Sequence, residues 1–437
     1  MSRGINMKTN NKNTVIRSER IILPSKVDFT EQCSVWRAVY NTANYIQRNL
    51  FENKLPLLKS TLLTREVEKH KDYPRWKDTI GKGIHRVIVN LRHDWNAYFA
   101  AMKEYSRDTK KFLSKPNPPG WTGSVFHGHR LATVKFQKEQ IRTPSNPARP
   151  GKGLKKDELQ LPKLYNNLIV KRHISLGKEV VSAELKPIGI KRFELVINYQ
   201  EVKPQVLPSS RIAAIDLGMK YAVTMVDNLG SVPVYRKGGY IESINQWFNK
   251  QMAKLQPMYA KTGNNHQNGK TVERIRLNRE KKLRDVLHKL AKDVVQWCVD
   301  RQIDTIVIGL NPLWKQRVNN GKRFNQNFCY FPFRRIIDKI TEKAELQGIR
   351  VEVEEEDHTS KCSFLDNESI EHHDSYLGKR GPRGLFTSAN GTYSDVRVHQ
   401  SSYIHSDVNA AYNIGKKVFP NIFDPNKIRV IRFPTPL

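Results

Sequence analysis

The chain has 437 residues, enough for two or three domains with separate cores. Hydrophobic residues make up 38% and charged residues 27%, a globular composition, and no run approaches the 18 consecutive apolar residues of a membrane-spanning helix. The 75 Lys and Arg against 42 Asp and Glu leave a formal net charge of +33, which indicates a polyanionic partner. We favour nucleic acid over the plainer alternatives, a ribosomal-type binder or a merely soluble basic protein.

The excess of positive charge extends over the whole chain. Residues 1–210 carry a balance of +21 and residues 211–437 a balance of +12, so the partner surface should span both halves. Such a surface releases counterions from phosphates and should lose affinity steeply as salt rises.

The cysteines and the N-terminus bear on localisation. The four cysteines are far apart in sequence and predict no disulfide framework, which suits a reducing compartment. The first residues lack the apolar core of a signal peptide. We therefore expect a cytoplasmic, nucleoid-associated protein with no membrane partner.

The first half alternates between strand-like and helix-like patterns. Residues 14–23 mix β-branched and charged residues and predict a strand, whereas apolar residues from Thr30 to Tyr105 recur at helical spacing. The prolines and glycines of residues 115–123 favour turns and end the helical region. Short strand-like runs over residues 131–203 then predict, together with the first strand, a β-barrel interrupted by helices.

The second half alternates strands with helices. Residues 212–239 predict a hairpin or meander, and residues 271–300 a long amphipathic helix. Strands at 304–310 and 348–356 flank a helix that begins after Pro332. This order predicts a parallel α/β arrangement.

Basic and aromatic residues in this half are candidates for contacts with nucleic acid. One face of the long helix is strongly basic, and the following loop, residues 312–328, places aromatic side chains among cations. A charged helix face is often simply solvated, and loop aromatics are often anchored in a core. The candidates are Arg279, Lys282, Arg284, Lys289, Trp314, Lys315, Lys322 and Arg323.

Carboxylates near strand ends predict a metal site. Asp216 ends the apolar strand IAAID, where α/β sheets bind ligands, and Glu352, Glu354, Glu355, Glu356 and Asp357 crowd the end of a later strand. Asp407 begins a helix, where it is either a site residue or a plain N-cap. A repelling acidic cluster needs compensating cations, and Mg²⁺ prefers such hard oxygen ligands; otherwise the acids only balance local Lys and Arg.

At these residues the sequence resembles the TnpB (OrfB) family of transposon-encoded, RNA-guided DNA endonucleases, which are related to compact type V CRISPR effectors. AIDLGMKYAVT is similar to the family's first RuvC motif, HSDVNAAYNIGKK to its third, and HTSKCSFLD to the segment that leads into its zinc ribbon. The strong motifs lie between residues 210 and 419, and the front half resembles the family's wedge and recognition domains more loosely.

The resemblance implies a catalytic and metal-binding triad of Asp216, Glu356 and Asp407 with two Mg²⁺ ions. Most family members carry the glutamate at the end of the strand where this sequence has Gly309. The chain resembles the subgroup with a relocated glutamate, which maps to Glu356, with Glu355 as the alternative. Strands 304–309 and 350–356 should be neighbours, so either strand end would reach the same metals.

The ribbon departs from the family pattern. The family uses two Cys-x-x-Cys pairs for one zinc ion, whereas Cys362 is followed by Leu365 and LFTSANGTYSD has no cysteine. We predict no structural zinc. A metal site made from nearby histidines is a weaker alternative; these are His358, His372, His373, His399 and His405.

These inferences predict a multidomain α+β protein. An N-terminal β-barrel (wedge) with a helical insertion precedes a RuvC-like RNase H α/β fold with a degenerate ribbon insertion. The predicted parts are the first barrel strand (1–29), the helical recognition domain (30–125), the rest of the barrel (126–207), the nuclease domain (208–437) and the insertion (357–405).

The implied function is RNA-guided, Mg²⁺-dependent cleavage of double-stranded DNA, with guide RNA and target DNA as partners. One alternative is an inactive RNA-guided repressor, which Gly309 favours weakly. A transposase or transposase accessory protein is another. An actin-like ATPase also begins with a strand ending in Asp-Leu-Gly, but no second glycine-rich phosphate loop follows.

Overall fold

The computed structural model describes two compact units, which we treat separately. The N-terminal unit comprises residues 14–201 and 255–277, and the C-terminal unit residues 202–254 and 278–437. No helix among the described residues is long and apolar enough to cross a membrane. The description leaves out residues 1–13, 110, 111, 113, 127, 128, 145–149, 152, 190, 206–209, 262–268, 312–320 and 390–402.

Four helices form the predicted helical region of the N-terminal unit. Their apolar faces meet in one core, in which Val39, Leu91 and Trp95 are fully buried. Phe99 is 42% exposed, because it lies at the edge of an aromatic cluster around Phe51. The helices are α1 (Thr30–Glu52), α2 (Ser60–Glu68), α3 (Tyr73–Ile80) and α4 (Gly83–Arg107).

The strands of this unit confirm the strand-like runs of the first half. A four-stranded sheet has the order β1-β8-β7-β4, so the first strand of the chain does join later strands. Two further hairpins pair β2 with β3 and β5 with β6, and closure into a barrel stays a prediction. The strands are β1 (Thr14–Ile22), β2 (Ser124–Phe126), β3 (His129–Leu131), β4 (Val134–Gln137), β5 (Glu158–Gln160), β6 (Ile169–Lys171), β7 (Val180–Gly189) and β8 (Arg192–Val202).

A six-stranded mixed sheet forms the centre of the C-terminal unit. Its order is β13-β12-β9-β10-β11-β17, in which β9, β12 and β13 are parallel and β10 is antiparallel to both β9 and β11. The predicted meander and the predicted neighbours 304–309 and 350–356 are thus confirmed. The strands are β9 (Ile212–Asp216), β10 (Tyr221–Asp227), β11 (Val234–Lys237), β12 (Thr305–Gly309), β13 (Arg350–Glu354) and β17 (Thr435–Pro436).

Helices cover both faces of this sheet. Successive residues of β9 alternate between two cores: Ala213 and Ile215 pack with α6 and α8, and Ile212 and Ala214 with α9. This explains the continuous apolar run before Asp216, because both faces of the strand are buried. The helices are α5 (Gly239–Lys261), α6 (Lys270–Asp300), α7 (Lys322–Tyr330), α8 (Phe333–Glu345) and α9 (Ser406–Val418).

A small sheet precedes α9. Its strand order is β14-β15-β16, and both pairings are antiparallel. This sheet falls within the predicted ribbon-like insertion and carries the chain into the N-terminus of α9. Its strands are β14 (Lys379–Arg380), β15 (Leu385–Thr387) and β16 (Tyr403–His405).

Candidate functional site

Three parallel strands end at one edge of the central sheet. Ile308 of β12 lies opposite Ile215 of β9, so the next residues, Gly309 and Asp216, end their strands side by side. On the other side of β12, Gly309 lies opposite Glu354 of β13. Carboxyl ends of parallel strands are where α/β sheets place ligands.

Helix α9 brings Asp407 to the same sheet. The helix packs against β9, β10 and β12, and its N-cap is His405, whose Nδ1 accepts a hydrogen bond from the backbone N–H of Asp407 at 3.3 Å. Asp407 is therefore not the cap residue. Its Oδ1 instead accepts hydrogen bonds from Arg380 Nη2 at 3.2 Å and from the Ser406 hydroxyl at 3.3 Å.

Asp216 and Asp407 interact electrostatically. Burial raises the pKa of Asp216 to about 8, and the negative charge of Asp407 contributes to the rise, while Arg380 opposes it. Burial likewise lowers the pKa of His405, against the opposing effect of Asp407. Two half-buried carboxylates that repel each other provide the hard oxygen donors that a divalent cation prefers. Asp216 and Asp407 are therefore the residues that could hold such a cation.

The Glu356 side chain lies close to the space that a side chain at position 309 would enter. A Cβ atom added to Gly309 would lie 3.0 Å from Oε2 of Glu356. Glu355, the alternative, is exposed, and its carbonyl accepts a hydrogen bond from Lys417 Nζ. The Glu356 carboxylate thus fills space beside the end of β12, although it comes from the chain beyond β13.

Buried amides on α9 hold the segment that follows Glu356. Asn413 Nδ2 donates to the carbonyls of Thr359 at 2.9 Å and Cys362 at 2.8 Å, and Asn409 Nδ2 donates to Cys362 at 2.9 Å. The Thr359 hydroxyl donates in turn to the Glu356 carbonyl at 2.8 Å. The same helix therefore carries Asp407 and fixes the chain that carries Glu356.

Several of these residues were not predicted from the sequence. Asn409, Asn413 and Lys417 recur every four residues on a helix already recognised, so their spacing could have revealed a common face. Arg380 had no such signal, because only the strand β14 brings it to Asp407.

The three acidic residues do not form a closed metal site here. Within the described part of the chain, no group of three or more His, Cys, Asp or Glu residues lies close enough together to hold an ion. Arg380 instead compensates the charge of Asp407. The carboxylate pair fits a divalent cation, and recruitment of Glu356 would require a further approach of its side chain.

The predicted nucleic-acid contacts on α6 vary in exposure. The Arg279 guanidinium is half-buried, donates to Asn245 Oδ1 at 2.7 and 3.0 Å and stacks on Phe248 and Tyr330. Arg279 is thus committed to internal contacts, and burial lowers its pKa. Lys282 is exposed above the Trp247 ring.

The other candidates are only partly described. Lys289 is exposed and pairs with Asp285 at 2.8 Å, and Arg284 is half-buried. Trp314 and Lys315 lie outside the described residues. Lys322 and Arg323 begin α7, but their side chains are not described. For all of these the nucleic-acid role stays a prediction.

A buried carboxylate organises the described part of the ribbon-like insertion. Glu368 accepts hydrogen bonds from the backbone N–H groups of Ser363 at 2.6 Å and Leu377 at 2.9 Å, which ties two arms of the segment together. Cys362 is buried beside the carbonyl of Glu371. The later part, including His399, lies outside the described residues, so the absence of zinc stays a prediction.

Removal of the Asp216 charge should stabilise the metal-free protein. Since its folded pKa lies near 8 and its unfolded pKa near 3.8, the carboxyl contributes stability in full below about pH 4 and loses it as pH rises towards 8. Asp216→Asn cannot ionise and should melt higher than wild type at pH 7 in EDTA, by roughly 2–4 °C per kcal/mol. The difference should shrink at pH 5, and equal melting temperatures at pH 7 would contradict the assigned burial.

Substitution of Gly309 should disturb both α9 and Glu356. A Cβ atom there would lie 2.5 Å from Cδ1 of Ile414 and 3.0 Å from Oε2 of Glu356. Gly309→Ala should cost about 1–3 kcal/mol of unfolding free energy through overpacking. The added change Ile414→Val removes Cδ1 but leaves Cγ1 at 3.1 Å, so it should restore part of the lost stability in urea denaturation. An unchanged free energy of unfolding in Gly309→Ala would show that the packing around Gly309 is looser than these distances indicate.

The C-terminal unit is thus an α/β domain with a carboxylate pair at the carboxyl edge of a mixed sheet. Residues 195–312 match a family model described as probable transposase (OrfB_IS605). The predicted resemblance to the TnpB (OrfB) family is confirmed over this segment. It includes Asp216 and ends before Glu356 and Asp407.

Two solved structures are similar to the chain at low sequence identity. One is a cryo-EM structure of the Cas12f1–sgRNA–target DNA complex, with 15% identity and a TM-score of 0.46, covering 88% of this chain and 81% of that one. The other is the mini-RNA-guided endonuclease CRISPR-Cas_phi3, with 9% identity and a TM-score of 0.43, covering 97% and 94%. No curated protein matches the chain.

Proposed function

We propose that the protein is an RNA-guided, Mg²⁺-dependent DNA endonuclease associated with a transposable element. Its RuvC-like site would consist of Asp216, Glu356 and Asp407. The observation that carries the proposal is the position of Glu356, whose Oε2 lies 3.0 Å from the place that a Cβ atom of residue 309 would take, next to the end of β9. The mixed sheet, with three parallel strands and an antiparallel meander, supports an RNase H-like fold for this domain.

The chemistry follows from the donor set. When bound, divalent cations between these carboxylates would activate a water molecule and stabilise the leaving oxygen of a phosphodiester. Asp216 has to give up its proton to act as a ligand, because its pKa is raised to about 8. Arg380 has to release Asp407, or share it, before both oxygens of that carboxylate are open.

The partners are proposed from charge and resemblance. A net charge of +33 suits a protein that holds a guide RNA and a double-stranded DNA target together. The family match over residues 195–312 supports guidance by RNA, in which base pairing selects the sequence. The N-terminal unit would then serve as the wedge barrel and helical recognition domain. The ribbon-like insertion of the C-terminal half would hold no structural zinc.

Purification with co-expressed flanking RNA tests this function. The complex would be incubated with matched and mismatched DNA, in Mg²⁺ and in EDTA. Cleavage that needs both the match and Mg²⁺ is the expected result. Cleavage without any RNA, or equal cleavage of mismatched DNA, would contradict the proposal.

Guide-directed binding without cleavage is the second candidate. It rests on Gly309, which stands where most members of the family that the sequence resembles carry their second carboxylate. Matched binding with no cleavage in Mg²⁺ would establish this repressor-like function. The match to a family described as probable transposase is compatible with a transposase, and strand joining by the purified chain would reveal that activity.

A further inference from the structure

A short segment of the N-terminal unit is fastened along α1. This segment, PPGWT at residues 118–122, is part of the proline- and glycine-containing stretch that ends the helical region. Asn44 is fully buried, accepts from the Trp95 indole N–H at 3.2 Å and donates to the Pro119 carbonyl at 3.0 Å. Arg48 donates to the same carbonyl from Nε at 3.0 Å and from Nη2 at 2.8 Å.

The far end of the segment is held equally closely. Asn41 Oδ1 accepts from the backbone N–H of Thr122 at 2.9 Å. Gly123 follows with φ +117°, and a Cβ atom there would lie 2.6 Å from Cδ of Arg37. Arg37, Asn41, Asn44 and Arg48 are spaced by three or four residues, so one helix face holds the whole segment.

These contacts leave the Trp121 side chain exposed. Trp121 is 56% exposed, whereas Trp36, Trp76 and Trp95 of the same unit are at most 4% exposed. The Arg48 guanidinium lies 5.5 Å from the centre of the Trp121 ring. A large aromatic ring is thus held outside the core by backbone that is ordered on both sides, which is unusual because tryptophan normally buries much of its surface.

We propose that Trp121 is a stacking site for an unpaired nucleobase. This inference rests on the proposed nucleic-acid function and adds a specific contact to it. An exposed ring offers a flat surface to any base, and stacking on aromatic side chains tolerates all sequences. Pre-ordering of the segment means that little further chain entropy is lost when a base binds.

One basic side chain lies over the ring and two more lie beside the neighbouring Gly123, and their charge suits the phosphates that flank such a base. Arg48 lies over the ring, and Arg37 and the exposed Arg130 both approach Gly123. This charge selects a nucleotide strand over an apolar peptide as the occupant. A single-stranded segment of guide RNA or of the displaced DNA presents the same chemistry, a base with phosphates on each side.

Binding of short oligomers to the full-length protein tests the site. The probes are a single-stranded DNA carrying 2-aminopurine, an RNA of the same sequence, and an abasic oligomer with equal phosphates. Trp121→Ala is compared with Trp121→Phe, which keeps a ring, and with Leu62→Ala, which removes an exposed apolar side chain on α2. Circular dichroism checks that each variant is folded.

Trp121→Ala should weaken binding of the base-containing oligomers about tenfold, within the range of about 1–3 kcal/mol for one stacked base. Binding of the abasic oligomer should not change. Wild type should quench 2-aminopurine fluorescence, Trp121→Phe should retain part of the quenching, and Leu62→Ala all of it. A stronger effect with RNA or with DNA identifies the strand that uses the site.

Two results would overturn the inference, and they distinguish a failure of base stacking from a failure of the proposed nucleic-acid function. Equal affinities of wild type and Trp121→Ala for the base-containing oligomers, with abasic binding intact, would refute stacking and leave nucleic-acid binding standing. Failure of wild type to bind any oligomer at low salt would refute both.

Discussion

Asp216→Asn should abolish cleavage of guide-matched DNA and leave guide-dependent binding unchanged. The side chain keeps its size, but the position loses the negative charge that a divalent cation requires. Metal-assisted stabilisation of the transition state is worth several kcal/mol, and each 1.36 kcal/mol is tenfold in rate, so we expect a loss of about a thousandfold or more. Single-turnover cleavage, with binding measured in EDTA, separates the two steps.

An exposed acid on α6 provides the control for this result. Asp285 pairs with Lys289 at the surface, and Asp285→Asn should leave the rate within about twofold of wild type. The same Asp216→Asn protein should also be the more stable one in EDTA. Undiminished cleavage by Asp216→Asn would remove the basis of the proposed site.

Glu356→Gln should be nearly as damaging, and Glu355→Gln should not. The two residues are adjacent, but only Glu356 places an oxygen near the end of β12, whereas Glu355 is exposed and engages Lys417 through its backbone. We expect a loss of at least about a hundredfold for Glu356→Gln and a change of less than about threefold for Glu355→Gln. Cleavage rates at saturating Mg²⁺ measure both.

The two variants together also decide whether Glu355 or Glu356 is the metal ligand. A reversed pattern would assign the metal ligand to Glu355 and would require the chain after β13 to turn differently. Equal loss in both variants would indicate a local folding defect, which the melting temperature of each variant would reveal.

The central sheet was predictable from sequence because both of its faces are covered. An apolar run such as IAAID leaves little choice other than a buried strand, and the helix at 271–300 shows the expected apolar spacing at Leu283 and Leu287. Neighbouring strands β12 and β13 followed from the strand–helix–strand order. Closure of the N-terminal strands into a barrel did not follow in the same way, because short strands of mixed character do not specify their partners.

The acids proposed for the site came from sequence motifs, and their metal-binding role stays a prediction, whereas their surroundings were not predicted. Asp216 and Asp407 stand out within motifs, and Glu356 was predicted only from the resemblance to the subgroup with a relocated glutamate, because this sequence has Gly309. The contact of Arg380 with Asp407 depends on tertiary packing of a two-residue strand. Similarly, Arg279 belonged to a basic helix face by spacing, yet Asn245 and two aromatic rings engage it internally.

Manganese binding tests the central claim most directly, because Mn²⁺ takes the same hard oxygen ligands as Mg²⁺ and is visible by electron paramagnetic resonance. Titration of the guide-bound protein should show bound Mn²⁺ in wild type and in Glu355→Gln. Binding should be lost or strongly weakened in Asp216→Asn, Asp407→Asn and Glu356→Gln. Equal binding of Mn²⁺ by all five proteins would contradict a metal site made by these three carboxylates.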